Sequence, residues 1–245
     1  MDDRSHNVLI WDLPVRLIHW LLVLCFFGAY FTAEINELKI VHFTLGYTLA
    51  GLMIIRIIWG FFGTTHAKFR NFIRHPMAAI HYLRSVIRRE PATDVGHNPA
   101  GALAIVALLS LGLLVSFTGW LTLHELVAEW SEEVHEVLAN IMMVIVVIHI
   151  VAVVGASFLH KENLVKAMIT GKKTAQHTDA IPESKSLLAI ALLAAVVSFW
   201  FYQYEHAAEG GVDGIAALDE QNEHSQEQLR SVDDTSFRLF KKITT

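Results

Sequence analysis

Five apolar runs divide the chain, at approximately Leu17–Ala33, Ile40–Phe62, Ala100–Leu123, Val134–Leu159 and Leu187–Tyr204. A helix needs roughly 20 such residues to cross about 30 Å of hydrocarbon, so each run predicts a transmembrane helix. The first is short, and Arg56 interrupts the second. The fourth is longer than a bilayer requires, so one end should project from it. No period-2 alternation and no 20–50-residue repeat is present, and the predicted fold is all-α. The first run carries His19 and Trp20, with Arg16 just before it and no small-x-small cleavage site. It therefore reads as a retained helix rather than a signal peptide.

The polar segments between the runs set the expected orientation. The loop after the second run carries Lys68, Arg70, Arg74, Arg84, Arg88 and Arg89, and the segment after the fourth carries Lys161, Lys166, Lys172 and Lys173. The alternate loops are acidic: Glu34 and Glu37 against Lys39, then Glu125, Glu129, Glu132 and Glu133 with no basic residue. By the positive-inside rule the N-terminus and both basic loops are cytoplasmic, and five crossings put the C-terminus in the periplasm. The expected location is the bacterial inner membrane. Three regions follow: 1–175 as a four-helix core, 176–204 as a linker with the fifth helix, and 205–245 as an acidic periplasmic tail.

Composition sharpens this picture. Of the 245 residues 53% are hydrophobic and 18% charged, with mean hydropathy +0.43, against about 25% charged in soluble domains. Extensive disorder is excluded, and nucleic-acid binding is not expected. The single cysteine, Cys25, excludes an internal disulfide, a multi-cysteine zinc site, a cysteine-held iron–sulfur cluster and covalent c-type haem. The tail from Glu205 holds nine acidic and four basic residues, which accounts for the whole net charge of −5. Two readings of it stand, a solvated extension that repels its neighbours and a docking arm for a basic partner.

Four of the fourteen histidines fall inside or at the ends of apolar runs: His19, His42, His135 and His149. Polar groups in hydrocarbon are costly and seldom left unpaired. His135 and His149 are fourteen positions apart. On a helix that spacing falls about 40° short of four whole turns and rises about 21 Å, so both project from nearly one face at different depths. His42 and His135 each open a run at the outer surface, whereas His19 and His149 lie toward the inner one. The expected pairs are His42 with His135 outside and His19 with His149 inside. Two imidazoles facing each other among apolar neighbours suit the axial positions of six-coordinate haem b. Zinc would need three or four ligands. Ligation by two histidines leaves the iron no open position, so two such sites would pass electrons rather than bind oxygen.

Haem propionates call for cations. Arg16 lies one turn before His19; Arg56 shares the face of His42 but sits at the inner depth. Arg56 has a second reading, snorkelling to the interface that Trp59 marks. Gly46, four residues after His42, would let a porphyrin approach the helix. Gly28, Gly112 and Gly119 read as packing positions. Asn98-Pro99 reads as a helix start. His124 reads as a surface histidine, with a spare ligand and an electron-entry contact as the other options.

These residues resemble the bacterial cytochrome b561 family, including the related b-type subunits of nickel–iron hydrogenases. The resemblance covers roughly Trp11 to Lys173. It rests on Trp11-Asp12-Leu13-Pro14-Val15-Arg16 leading to Ile18-His19-Trp20, on His42 with Gly46 and Arg56, and on Gly96-His97-Asn98-Pro99-Ala100-Gly101. Further on it rests on His135-Glu136-Val137-Leu138-Ala139-Asn140 continuing to His149, and on His160-Lys161-Glu162-Asn163-Leu164. The resemblance implies a four-helix core with two b haems, one shared by the second and fourth helices and one by the first and fourth. It also implies quinone contact at His160, Lys161 and Asn163, against a reading of these as interfacial anchors. The fifth run and the acidic tail depart from the compact members.

The expected function is a di-haem electron carrier between a periplasmic redox partner, a c-type cytochrome by the charge of the tail, and the membrane quinone pool. Two alternatives are a superoxide:quinone oxidoreductase, an activity the resemblance implies, and the b-type membrane subunit of a hydrogenase-like complex.

Overall fold

The computed structural model describes residues 6–72, 77, 81, 99–124 and 130–206. Arg74, Arg84, Arg88, Arg89, the Gly96-His97-Asn98 start signal, Glu125, Glu129 and the tail from residue 207 lie outside them. The chain forms two compact units, Met1–Val196 and Val197–Thr245.

The fold is all-α, and among the described residues five helices are long and apolar enough to cross a membrane. In chain order the helices are α1 (Leu13–Thr32), α2 (Lys39–Phe62), the single-turn α3 (Phe69–Phe72), α4 (Pro99–Leu123), α5 (Trp130–Leu159), the short α6 (Leu164–Thr170) and α7 (Ser186–His206). A 3-10 turn, Asn36–Leu38, leads into α2. The long helices coincide with the five apolar runs, and α5, at 30 residues, exceeds a bilayer crossing.

Packing pairs α1 with α2 and α4 with α5, and α2 joins the two hairpins through α4. A Cβ on Gly112 of α4 would collide with the Met53 side chain of α2 and would meet Met142 Cε at 3.2 Å. The thioether ends of Met53 and Met142 fill the space that a side chain on Gly112 would take. By contrast α1 and α5 make hardly any close backbone approach, although they carry His19 and His149.

The end of the bundle where α1 begins and α5 stops is closed by a small platform that hydropathy did not announce. Strand β1 (His6–Leu9) pairs antiparallel with β2 (Lys172–Ala175), in register His6↔Ala175 to Leu9↔Lys172. Each strand has four residues, too few for an alternating pattern to stand out. The turn between α6 and β2 is made by Gly171 at φ 81, a left-handed cap that ends α6. Its carbonyl accepts from the Ile10 and Trp11 amides at 2.8 and 3.0 Å. Val8, Ile10, Trp11, Val15, Ala67 and Ala175 form the apolar core of this platform, with Trp59 packed against it. Lys173, though buried, is matched by Glu162 at 3.2 Å.

Candidate functional site

The imidazoles of His42 and His135 face each other between α2 and α5. Their ring centroids are 6.2 Å apart and their planes 86° crossed. His42 Nδ1 lies 2.8 Å from the carbonyl of Ala29 on α1, and His135 Nδ1 lies 3.0 Å from that of Val115 on α4. A carbonyl can only accept, so both Nδ1 atoms carry the proton and both Nε2 atoms keep a free lone pair. That is the state a ring takes when it ligates a metal through Nε2 and is steered by a backbone acceptor behind it. The centroid spacing leaves room for two metal–nitrogen bonds of about 2 Å each plus the depth of two rings.

Two residues of α4 seat His135. Thr118 Oγ1 lies 3.3 Å from the same Nδ1. A Cβ on Gly119 would meet His135 Cε1 at 2.8 Å and Nδ1 at 3.1 Å. Gly119 therefore does more than admit a neighbouring helix: its missing side chain is the space the ring occupies. Gly46, one turn from His42, fronts open space, with nothing within 4 Å of a Cβ placed there.

His19 lies on α1 and His149 on α5. Each is half-buried, and they are electrostatic neighbours. His19 Nδ1 is buried and has no hydrogen-bond partner, and the ring stands edge-on to Trp20 at 5.1 Å. His135 and His149 both stand on α5, about 21 Å apart along its axis. Among the described residues no three His, Cys, Asp or Glu side chains converge as a metal site. His42 and His135, each with Nδ1 on a carbonyl and Nε2 free, have the donor set that haem b would take and are too few for a closed zinc site.

The two arginines sit at the platform end. Arg16 donates from Nη1 to the Ile169 carbonyl at 2.5 Å, while its Nε is buried without a partner. Arg56 is 7% exposed; it reaches the Ala67 carbonyl at 3.4 Å, and its guanidinium lies 5.3 Å from the Phe69 ring centre. The orphaned Arg16 Nε, one turn from His19, is a donor awaiting an acceptor and suits a propionate. Arg56 is enclosed by the turn that follows α2 rather than extended to an interface.

Asp12 is the residue that motif reading passed over. It is fully buried, caps α1 through the Val15 amide at 2.8 Å, and accepts from Trp59 Nε1 at 3.0 Å and Thr64 Oγ1 at 2.6 Å. Arg16 and Arg56 are both within its electrostatic reach. One carboxylate thereby ties the start of α1 to the end of α2. The signal available was an Asp two residues before Pro14, a helix-start pattern, but its distant partners carry no mark in sequence.

At the foot of α5 an open hollow of about 410 Å³ is lined by Val154, Ser157, Phe158, Lys161, Glu162, Asn163 and Val165. Lys161 is exposed at φ 52, and Asn163 caps α6 by accepting from the Lys166 amide at 2.8 Å. Half-buried His160 borders the hollow in sequence without lining it. His124 is exposed and uses Nδ1 on the Trp120 carbonyl at 2.9 Å.

Residues 10–171 match the family described as prokaryotic cytochrome b561. The chain is 24% identical over 150 residues to the probable Ni/Fe-hydrogenase 1 B-type cytochrome subunit of Escherichia coli (strain K12), covering 49% of this chain and 63% of that relative. It is 22% identical over 215 residues to the probable Ni/Fe-hydrogenase B-type cytochrome subunit of Rhizobium leguminosarum bv. viciae, covering 69% and 90%. To the subunit so named in Rhodobacter capsulatus it is 25% identical over 217 residues, covering 70% and 83%. The chain thus spans less than two thirds of the Escherichia coli relative's length. No solved structure matches it.

Proposed function

This chain belongs to the prokaryotic cytochrome b561 family, and from that membership we propose a two-haem membrane electron carrier. As a b-type cytochrome it uses haem b, which supplies a one-electron iron couple when bound. His42 and His135 hold one haem near the periplasmic surface, and His19 and His149 hold the other near the cytoplasmic one. Arg16 and Arg56 neutralise propionates at the inner site, and Gly46 gives the outer group room against α2. The observation that carries the reading is the His42–His135 pair, 6.2 Å apart with both Nδ1 protons directed at carbonyls.

The chain's own residues then have defined tasks. Carbonyls of α1 and α4 fix the tautomer and rotation of the outer imidazoles. The apolar faces of the bundle keep water from both sites. Segregated charge sets the direction of insertion: Lys68, Arg70, Lys161 and Lys166 lie in segments at the platform end, and Glu34 and Glu37 lie between α1 and α2 at the other. A quinone headgroup would use the hollow at the foot of α5, with Lys161, Asn163 and neighbouring His160 as its polar contacts.

For the partner, the names of the relatives favour an oxidoreductase whose membrane subunit this chain would be. The acidic tail favours a second reading, a basic c-type cytochrome docking in the periplasm, because opposite charge speeds encounter at low salt. Deleting 205–245 separates them: slower, salt-insensitive exchange with a basic cytochrome c supports the second, and unchanged co-purification with an oxidoreductase supports the first. Superoxide is an anion, and the acidic periplasmic segments oppose its approach.

Pyridine haemochrome analysis tests the cofactor. Two haem b per chain are expected, and a haem-free protein would overturn the reading. Gly119→Val should cost the outer haem alone, since even its Cβ needs space that the His135 ring fills. The same assay checks this as a drop from two haems to one, with helicity by circular dichroism unchanged.

A further inference from the structure

We propose that Thr118 is a positioning residue for His135 whose hydroxyl lowers the reduction potential of the outer haem; this rests on the two-haem reading above. Thr118 is buried on α4. Its hydroxyl has a single proton. That proton is directed back along the helix, toward the carbonyls of Leu114 at 3.0 Å and Val115 at 2.9 Å. The oxygen's lone pairs remain, and His135 Nδ1 lies 3.3 Å from them. Thr118 can therefore act toward the imidazole only as an acceptor. The Val115 carbonyl lies 3.0 Å from the same nitrogen. One turn of α4 thus presents two acceptors to one N–H, and Gly119 next to it leaves the ring room to approach.

Drawing the Nδ1 proton outward makes the opposite nitrogen a stronger donor to iron. A stronger donor favours the ferric over the ferrous state, which lowers the potential. The Val115 carbonyl cannot be removed by substitution, but the hydroxyl can. The inner site supplies an internal reference, because His19 Nδ1 has no hydrogen-bond partner. The two sites of one chain therefore differ in the ligand environment that Thr118 helps to set.

The test is a spectroelectrochemical titration of the full-length, haem-loaded protein in detergent, with the outer haem identified as the one lost in His42→Ala. In Thr118→Val, which keeps the shape and removes the oxygen, the outer midpoint should move upward while the inner one stays. Thr118→Ser should restore the wild-type value. Two unmoved midpoints in a Thr118→Val protein that keeps both haems would overturn the proposal, as would a Thr118→Ser protein that shifts as valine does. If Thr118→Val loses the outer haem, Thr118→Ala is titrated in its place against Thr118→Ser, with the same two outcomes. Wild-type protein without haem b, or His42→Ala protein that loses none, overturns the two-haem reading and this proposal with it.

Discussion

His135→Ala is expected to leave one haem b per chain, the inner one, with its spectrum and midpoint close to those of the wild-type inner haem. His42 alone cannot hold the outer group, because α1 and α4 offer carbonyls there and no other imidazole faces it among the described residues. The pairing makes the prediction sharper than a simple loss. His42→Ala and the double variant His42→Ala/His135→Ala should lose the same single haem, since two ligands of one site act as a unit and do not add. His135→Ala/His149→Ala should lose both, although both changes lie on α5. Haemochrome counts on this set, with redox titration of the survivors, check it. A His135→Ala protein that keeps two haems would break the assigned pair.

Asp12→Ala should produce the largest loss of stability of any single change in the platform, about 3–5 kcal/mol, because it removes a helix cap and the acceptor of two further donors. The cap on α1 contributes about 1 kcal/mol of this. Trp59 Nε1 and Thr64 Oγ1 lose their acceptor, and an unsatisfied buried donor costs about 1–3 kcal/mol. At about 2–4 °C per kcal/mol for a chain of this size the Tm should fall by roughly 6–20 °C. Thermal unfolding of haem-loaded protein in detergent, followed by circular dichroism, measures it. Asp12→Asn keeps a capping oxygen and should fall less; equal losses would show that charge has no part in the effect.

The sequence disclosed what depends on spacing along one helix. The five spans were legible because hydrocarbon thickness dictates their length. The shared face of His135 and His149 followed from the pitch of α5. Contacts between distant segments were hidden. Nothing near Gly119 marks it as the seat of His135, because the ring it accommodates belongs to the next helix. Asp12 stood inside a recognised motif, yet its partners Trp59 and Thr64 arrive from the far end of α2. Asn163 looked like a cofactor contact, and the structure also gives it the cap of α6. The β1–β2 ribbon was invisible because each strand is short and its partner is most of the chain away.

That separation has a consequence for biosynthesis. His6 is synthesised early, and Ala175, its partner, at about 5–20 residues per second emerges roughly ten to thirty seconds later. Until then β1 is an unpaired edge, the kind of segment that seeks other chains. The ribbon can close only after the intervening helices have been made and β2 has come back to the end of the bundle where α1 begins. A chain with a helix skipped or inverted would leave β1 without its partner strand and that edge open.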